Sequence, residues 1–124
     1  MSNDELSKLG TAEEVQIAAR GRDGKLRKPV TVWVVPYGDD LYVRSVKGPG
    51  GDWYQGVQAT HNGAIRAGGA EHDVTFVDAD ANINDDVDAA YRSKYHRYAG
   101  RILNSVLTAE ARSTTLKLMP RSTS

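Results

Sequence analysis

The 124-residue sequence contains no cysteine, which removes disulfides, thiolate nucleophiles and cysteine metal sites together and accords with a reducing compartment. The cytoplasm is the expected location. No excess of either charge exists: 16 Lys and Arg balance 16 Asp and Glu, so no net field draws the chain to nucleic acid or an anionic membrane. No apolar run approaches the roughly 20 residues that span a bilayer, and Met1-Ser2-Asn3-Asp4-Glu5 has neither the basic start nor the apolar centre of an export signal. Repeats, low-complexity tracts and linkers are lacking as well. His61, His72 and His96 fall outside the spacings that zinc or iron sites use, so no metal is expected. Neither Ser45 nor Ser105 sits in the glycine frame of a nucleophile elbow.

What is present is an ordinary globular composition, 40% hydrophobic and 26% charged, in a length that buries one core. One domain over residues 1–124 is expected, with residues 1–13 as an N-terminal extension and 121–124 as a flexible tail.

Thr11-Ala12-Glu13-Glu14 has the spacing of a capping box and predicts a short helical turn. Val15 to Arg20 alternates with the period of a half-buried strand. After the Asp23-Gly24 turn, Pro29 to Val35 is β-branched and aromatic throughout, which predicts a second, central strand that ends at Pro36-Tyr37-Gly38-Asp39. Leu41 to Val46 returns as a third strand, with Leu41, Val43 and Ser45 on one face and Tyr42, Arg44 and Val46 on the other. Gly48-Pro49-Gly50-Gly51 breaks the pattern, and Asp52 caps a short helix from Trp53 to about Thr60. Ala64 to Ala67 and Asp73 to Val77 form a second hairpin. Asn84 caps a helix whose acidic start and basic end match its dipole, with Val87, Tyr91, Lys94, Tyr95 and Tyr98 on one face. A second helical stretch from Ile102 to about Leu107 follows. Thr114 to Met119 alternates as strand six before Pro120. The sum is an α+β domain whose six mainly antiparallel strands close into a compact barrel with flanking helices.

Arg44-Ser45-Val46-Lys47-Gly48-Pro49-Gly50-Gly51 sets two cations, a hydroxyl and backbone amides between a strand end and a helix start, the parts of a phosphate cradle. Arg44 can fork two bonds to phosphate oxygens, and Trp53 with Tyr54 can lay an aromatic plane against a ring. Arg44 is expected to contribute more than the helix end, because Asp52 occupies some of the same amides. A glycine-rich hairpin exit with solvated cations has the same pattern. Lys94, on the tyrosine face of the late helix, must snorkel, pair with an acid or meet an anionic ligand. His61, before a turn, has the position of a loop acid or base, or of a solvated loop imidazole. Tyr95 and Tyr98 are candidate acid or base groups, although tyrosines at helical spacing are commonly core packing.

The order of these elements, with Leu41-Tyr42-Val43-Arg44-Ser45, the glycine loop into Trp53-Tyr54, and Arg66-Ala67-Gly68-Gly69 before a returning strand, resembles a bacterial family of unknown function over roughly Val15 to Pro120. More distantly, from Trp33 to Phe76, it is similar to the split-barrel flavin-binding superfamily that includes deazaflavin-dependent nitroreductases. That resemblance implies a split barrel and an FMN or deazaflavin cofactor, with Arg44, Ser45, Lys47, Gly48 and Trp53 in the cofactor phosphate site, and a homodimer that builds its sites between subunits. Two departures are visible: where those enzymes usually read Asn-Leu after the tryptophan segment, this chain has Gly56-Val57, and their proline a few residues later has no counterpart at Thr60 or His61. The function expected is a small flavin- or deazaflavin-binding oxidoreductase acting on a small-molecule ligand. The alternatives are a cofactor-free lyase, isomerase or hydrolase using histidine or tyrosine, and a non-catalytic ligand-binding dimer.

Overall fold

Short β-branched runs become strands β1 (Val15–Ala19), β2 (Val30–Val32), β3 (Val34–Tyr37), β4 (Asp40–Val43), β5 (Asn62–Ala67), β6 (Ala70–Asp78) and β7 (Leu116–Pro120). All pairings are antiparallel, in the order β2-β1-β5-β6-β7-β4-β3, and the sheet curls into a barrel with one seam. The computed structural model describes residues 8–38, 40–67, 70–98 and 100–120; residues 1–7 of the expected extension and the expected tail at 121–124 lie outside them.

Seven strands stand where six were expected, because the run Pro29 to Val35 divides at Trp33. Its two halves, β2 and β3, occupy opposite edges of the sheet. The run is therefore not central: Val30 and Val32 are only half-buried, whereas Val34 and Val35 are fully buried. A continuous apolar pattern marks burial of both faces and cannot distinguish a central strand from one that passes from one sheet edge to the other.

Alternation sorts the side chains into two cores. Ile17, Val43, Ile65, Phe76, Leu116 and Leu118 fill the barrel. Val35 and Tyr42 point outward to meet Val106 and, with it, Val87, Tyr91 and Tyr95, the apolar face of a helix, α2 (Asn84–Lys94, with Tyr95 as its C-cap), that packs on the barrel wall. The shorter α1 (Asp52–Thr60) lies beside β1 and packs Val57 into the barrel core.

Several boundaries differ from expectation. Residues 8–11 are helical and Thr11 Oγ1 donates back to Lys8 O at 3.2 Å, so Thr11 closes a turn and does not open one. Gly51, with no side-chain contribution, is the N-cap of α1, and Asp52 is its first residue. Ile83 holds the cap position of α2, leaving Asn84 inside the first turn, where its Oδ1 accepts from Thr115 Oγ1 at 2.9 Å. The stretch expected as a helix from Ile102 is short: α3 covers Arg101–Asn104, followed by turns and α4 (Ala109–Arg112). Strand three stops at Val43, because Arg44 and Ser45 leave the ladder.

Candidate ligand-binding cleft

β3 and β4 pair with Val34 opposite Val43. Continuing that register would set Val32 opposite Ser45. Instead Val32 pairs with Val15 of β1, and Ser45 N donates to Thr114 Oγ1 at 2.8 Å. The hairpin is thus unzipped beyond Trp33 and Arg44, and a cleft of about 660 Å³ opens between β2 and the 44–47 segment. Among the described residues β2 pairs with β1 alone, so its second edge is a free sheet edge that borders the cleft.

Arg44 supplies the pull. Its side chain is fully buried and all three nitrogens bond internally: Nε to Thr115 Oγ1 at 2.9 Å, Nη1 to Val106 O at 2.9 Å and to Asp88 Oδ1, and Nη2 to Asn84 O at 3.1 Å. The guanidinium also lies 5.5 Å over the Tyr91 ring. Arg112 Nε closes on the other Asp88 oxygen at 3.3 Å. Arg44 therefore stands in the cleft wall with its donors turned away from the cavity, as an internal anchor in place of the expected anion contact.

Ser45 is different. It is 1% exposed, yet its Oγ finds no hydrogen-bond partner among the described residues. A Cβ on Gly51 would lie 2.5 Å from that oxygen, so the hydroxyl is aimed at the bare N-cap of α1, which also lines the cleft. The first-turn amides of α1 receive no side-chain cap, and Lys47 lines the same wall. A buried hydroxyl, uncapped amides at a helix start and one cation are the parts that an anion site uses, and the Asp52 carboxylate stands beside them. Gly48 turns the chain here at φ +71, and a Cβ would meet Glu110 Cβ at 2.8 Å.

The other walls are aromatic, aliphatic and charged, with Glu14 and Asp52 as well as cations among them. Trp53 lines the cleft from α1 and Trp33 from the seam, with Arg27 and Lys28 entering ahead of β2. Trp33 is backed by Tyr95, whose ring stacks at 4.0 Å and 4°. At the rim Val46 is 55% and Ile102 59% exposed.

Lys94, Tyr95, Tyr98 and His61 are not in the cleft wall. Lys94 Nζ donates to Val34 O at 2.5 Å and sits 5.0 Å over the Tyr95 ring; burial lowers its pKa to about 8. Tyr95 OH donates to Glu13 O at 2.6 Å and Tyr91 OH to Trp33 O at 3.2 Å. Burial raises the pKa of both phenols. Tyr91 and Lys94 thus cover the carbonyls of Trp33 and Val34, where the chain enters β3. Tyr98 OH donates to Glu13 Oε1, which Arg97 also meets at 2.6 Å. His61 ends α1 at φ 58, its Nε2 3.7 Å from Asp78 Oδ2. Among the described residues no group of histidines and carboxylates is arranged to hold a metal ion.

The structure thus brings Arg44, Ser45, Lys47 and Trp53 to one wall, with Gly48 shaping the loop, and separates them from Lys94, Tyr95, Tyr98 and His61. Sequence reasoning missed Trp33, Arg27 and Lys28 as cleft residues. The adjacent cations before a strand were visible, but only barrel closure sets them opposite Lys47.

No curated protein matches the chain in sequence. Solved structures match its fold. HutZ, described as the heme storage protein from Vibrio cholerae, superposes with a TM-score of 0.61 at 10% identity, covering 98% of this chain and 89% of that one. An FAD-binding protein from Mesorhizobium loti gives 0.55 at 15% identity, over 100% of this chain and 91% of that one. A protein described as F420 reductase gives 0.52 at 16%, over 95% and 93%. At such identities the likeness concerns the fold alone, a split barrel. In sequence, residues 5–118 match the family described as "Uncharacterized protein conserved in bacteria (DUF2255)", and the chain belongs to that family.

Proposed function

We propose that this protein binds a flavin or deazaflavin in the cleft and acts as a small oxidoreductase on a small-molecule substrate. The observation that carries the reading is the unzipped hairpin, which lines one cavity with an unpaired strand edge, two tryptophans and an anion site. A heterocycle whose rim alternates donors and acceptors can pair with the β2 edge as a missing strand would, its face can pack on Trp33 or Trp53, and its phosphate can reach Lys47, Ser45 Oγ and the α1 amides. The cofactor, when bound, supplies the hydride chemistry; the chain supplies position and charge. The names of the FAD-binding and F420 reductase neighbours support this choice. Haem, suggested by HutZ, has less support because no histidine lines the cleft wall.

The cofactor-free reading, with His61, Tyr95 or Tyr98 as acid or base, is disfavoured by their positions outside the cavity and, for Tyr95, by a pKa that burial raises. The same proposal takes the chain as a single cytoplasmic domain that forms a homodimer through the apolar rim. Among the described residues, no helix is long and apolar enough to cross a membrane.

The test is an absorption spectrum of freshly isolated protein, followed by fluorescence titration of the colourless fraction with riboflavin, FMN, FAD and F420. A flavin or deazaflavin band, or saturable quenching, is the expected result. Colourless protein that quenches none of the four would overturn the reading.

A further inference from the structure

A second cavity, of about 400 Å³, adjoins the cleft and shares Arg27 and Gly56 with it; Arg22 and Ala59 complete the part that matters here. The two cavities lie along one flank of α1. Asp52 and Trp53 belong to the first, Gly56 to both and Ala59 to the second. At about 1.5 Å of rise per residue, Ala59 lies about 10 Å beyond the α1 N-terminus. Gly56 borders both cavities and lies close against β1, where a Cβ would meet Ala19 Cβ at 3.2 Å. Arg27 also borders both: a Cβ on Gly21 would lie 2.2 Å from Arg27 Nη2, which places the guanidinium against Gly21 in the second cavity. Its carboxylate neighbour, Asp23, is 3.7 Å away and both groups are about half exposed, a geometry that neutralises little. Arg22 makes no ion pair among the described residues. One compartment therefore gathers two guanidiniums around a single carboxylate.

We propose that the ligand of the cleft carries a second anionic group, held by Arg22 and Arg27 about 10 Å from the group at Lys47, Ser45 and the α1 N-terminus. The inference rests on the cofactor reading above and narrows it: a mononucleotide fills only the first compartment, whereas a dinucleotide, or a deazaflavin with an acidic tail, reaches the second. Guanidiniums suit either source, since both phosphate and carboxylate accept a forked pair of bonds.

The experiment is a set of fluorescence titrations of the full chain with riboflavin, FMN, FAD and F420. We compare wild type, Arg22→Gln, a residue that lines the second cavity and not the first, and Lys25→Gln, a cation of the same loop outside both cavities. FAD, F420 or both are expected to bind at least tenfold tighter than FMN, and which of them gains identifies a pyrophosphate or an acidic tail. Arg22→Gln is expected to weaken that ligand at least about fivefold while FMN itself is unchanged, as loss of one charge-assisted bond does; Lys25→Gln changes neither. FMN binding as tightly as both longer ligands overturns the second site and leaves the cofactor reading standing. So does an equal loss for every ligand in Arg22→Gln, or the same loss in Lys25→Gln. Failure of all four ligands removes the cofactor reading and this inference together. Circular dichroism of each variant confirms the fold before titration.

Discussion

Arg44 and Asp88 form a closed ion pair behind the cleft wall, with the arginine side chain fully buried and the aspartate 9% exposed. The pair ties the segment leaving β4 to α2, and that tie holds the hairpin open. Removing one partner strands the other charge in the interior, at a typical cost of about 3–5 kcal/mol. Arg44→Ala is therefore expected to lose about that much in urea denaturation, and Arg44→Met/Asp88→Leu less than the sum of the single changes. A loss below about 1 kcal/mol for Arg44→Ala would show that the guanidinium is free to serve a ligand, as an exposed cation is.

Ser45 gives the opposite signature. Its buried hydroxyl has no partner, so Ser45→Ala removes an unsatisfied group and leaves stability unchanged or slightly higher. The same change is expected to weaken FMN by about 1–1.5 kcal/mol, roughly tenfold, as loss of one bond to a charged acceptor does. Unaltered FMN affinity with unaltered stability would remove the hydroxyl from the anion site.

Gly48 combines a left-handed φ of +71 with a Cβ position 2.8 Å from Glu110 Cβ. Gly48→Ala meets both the backbone penalty and a contact with α4, for a loss of about 1–3 kcal/mol. Glycine-like stability of this variant in thermal denaturation would mean that the loop relaxes freely.

Lys94 sets a pH dependence. Burial lowers its pKa to about 8 from 10.5, so between those values the unfolded chain binds the proton that the folded chain has released, and stability rises with pH. The cost of the buried charge is present below pH 8 and relieved on the way to 10.5, with solvent access at this half-exposed site reducing the size of the effect. Tyr91 and Tyr95, with raised values, act oppositely: the stability from their neutral phenols is present below pH 10 and lost above it. The Tm of wild type minus that of Lys94→Met should increase from pH 7 to 10. A flat difference would place the ammonium in water.

The exposed pair Val46 and Ile102 at the cleft rim predicts the assembly. Light scattering at micromolar concentration is expected to return a dimer for wild type and a monomer for Ile102→Lys, since a charge cannot be buried there unpaired. A monomeric wild type would sink the homodimer.

Periodicity and turn residues were enough to find the strands around Val15, Leu41, Ala64, Asp73 and Leu116 and the helices at Trp53 and Val87, because alternation and three-to-four spacing are local properties of the chain. They also marked Ser45, Lys47 and Trp53, which line the cleft, since a hydroxyl, a cation and an aromatic ring beside a glycine loop are visible locally. What the tertiary structure alone decided is where each charge and each edge ends up. Arg44 and Lys47 are equivalent cations in sequence, but Asp88, Val106 and Thr115 come to Arg44 from 44 to 71 residues away and hold it inside. The run through Trp33 reads as one strand, yet closure of the barrel sends its halves to opposite sheet edges, and only that parting opens a cavity and turns Arg27, Lys28 and Trp33 into its walls. Pairing across the barrel is a matter of contacts distant in sequence, and no local pattern encodes which two edges fail to meet.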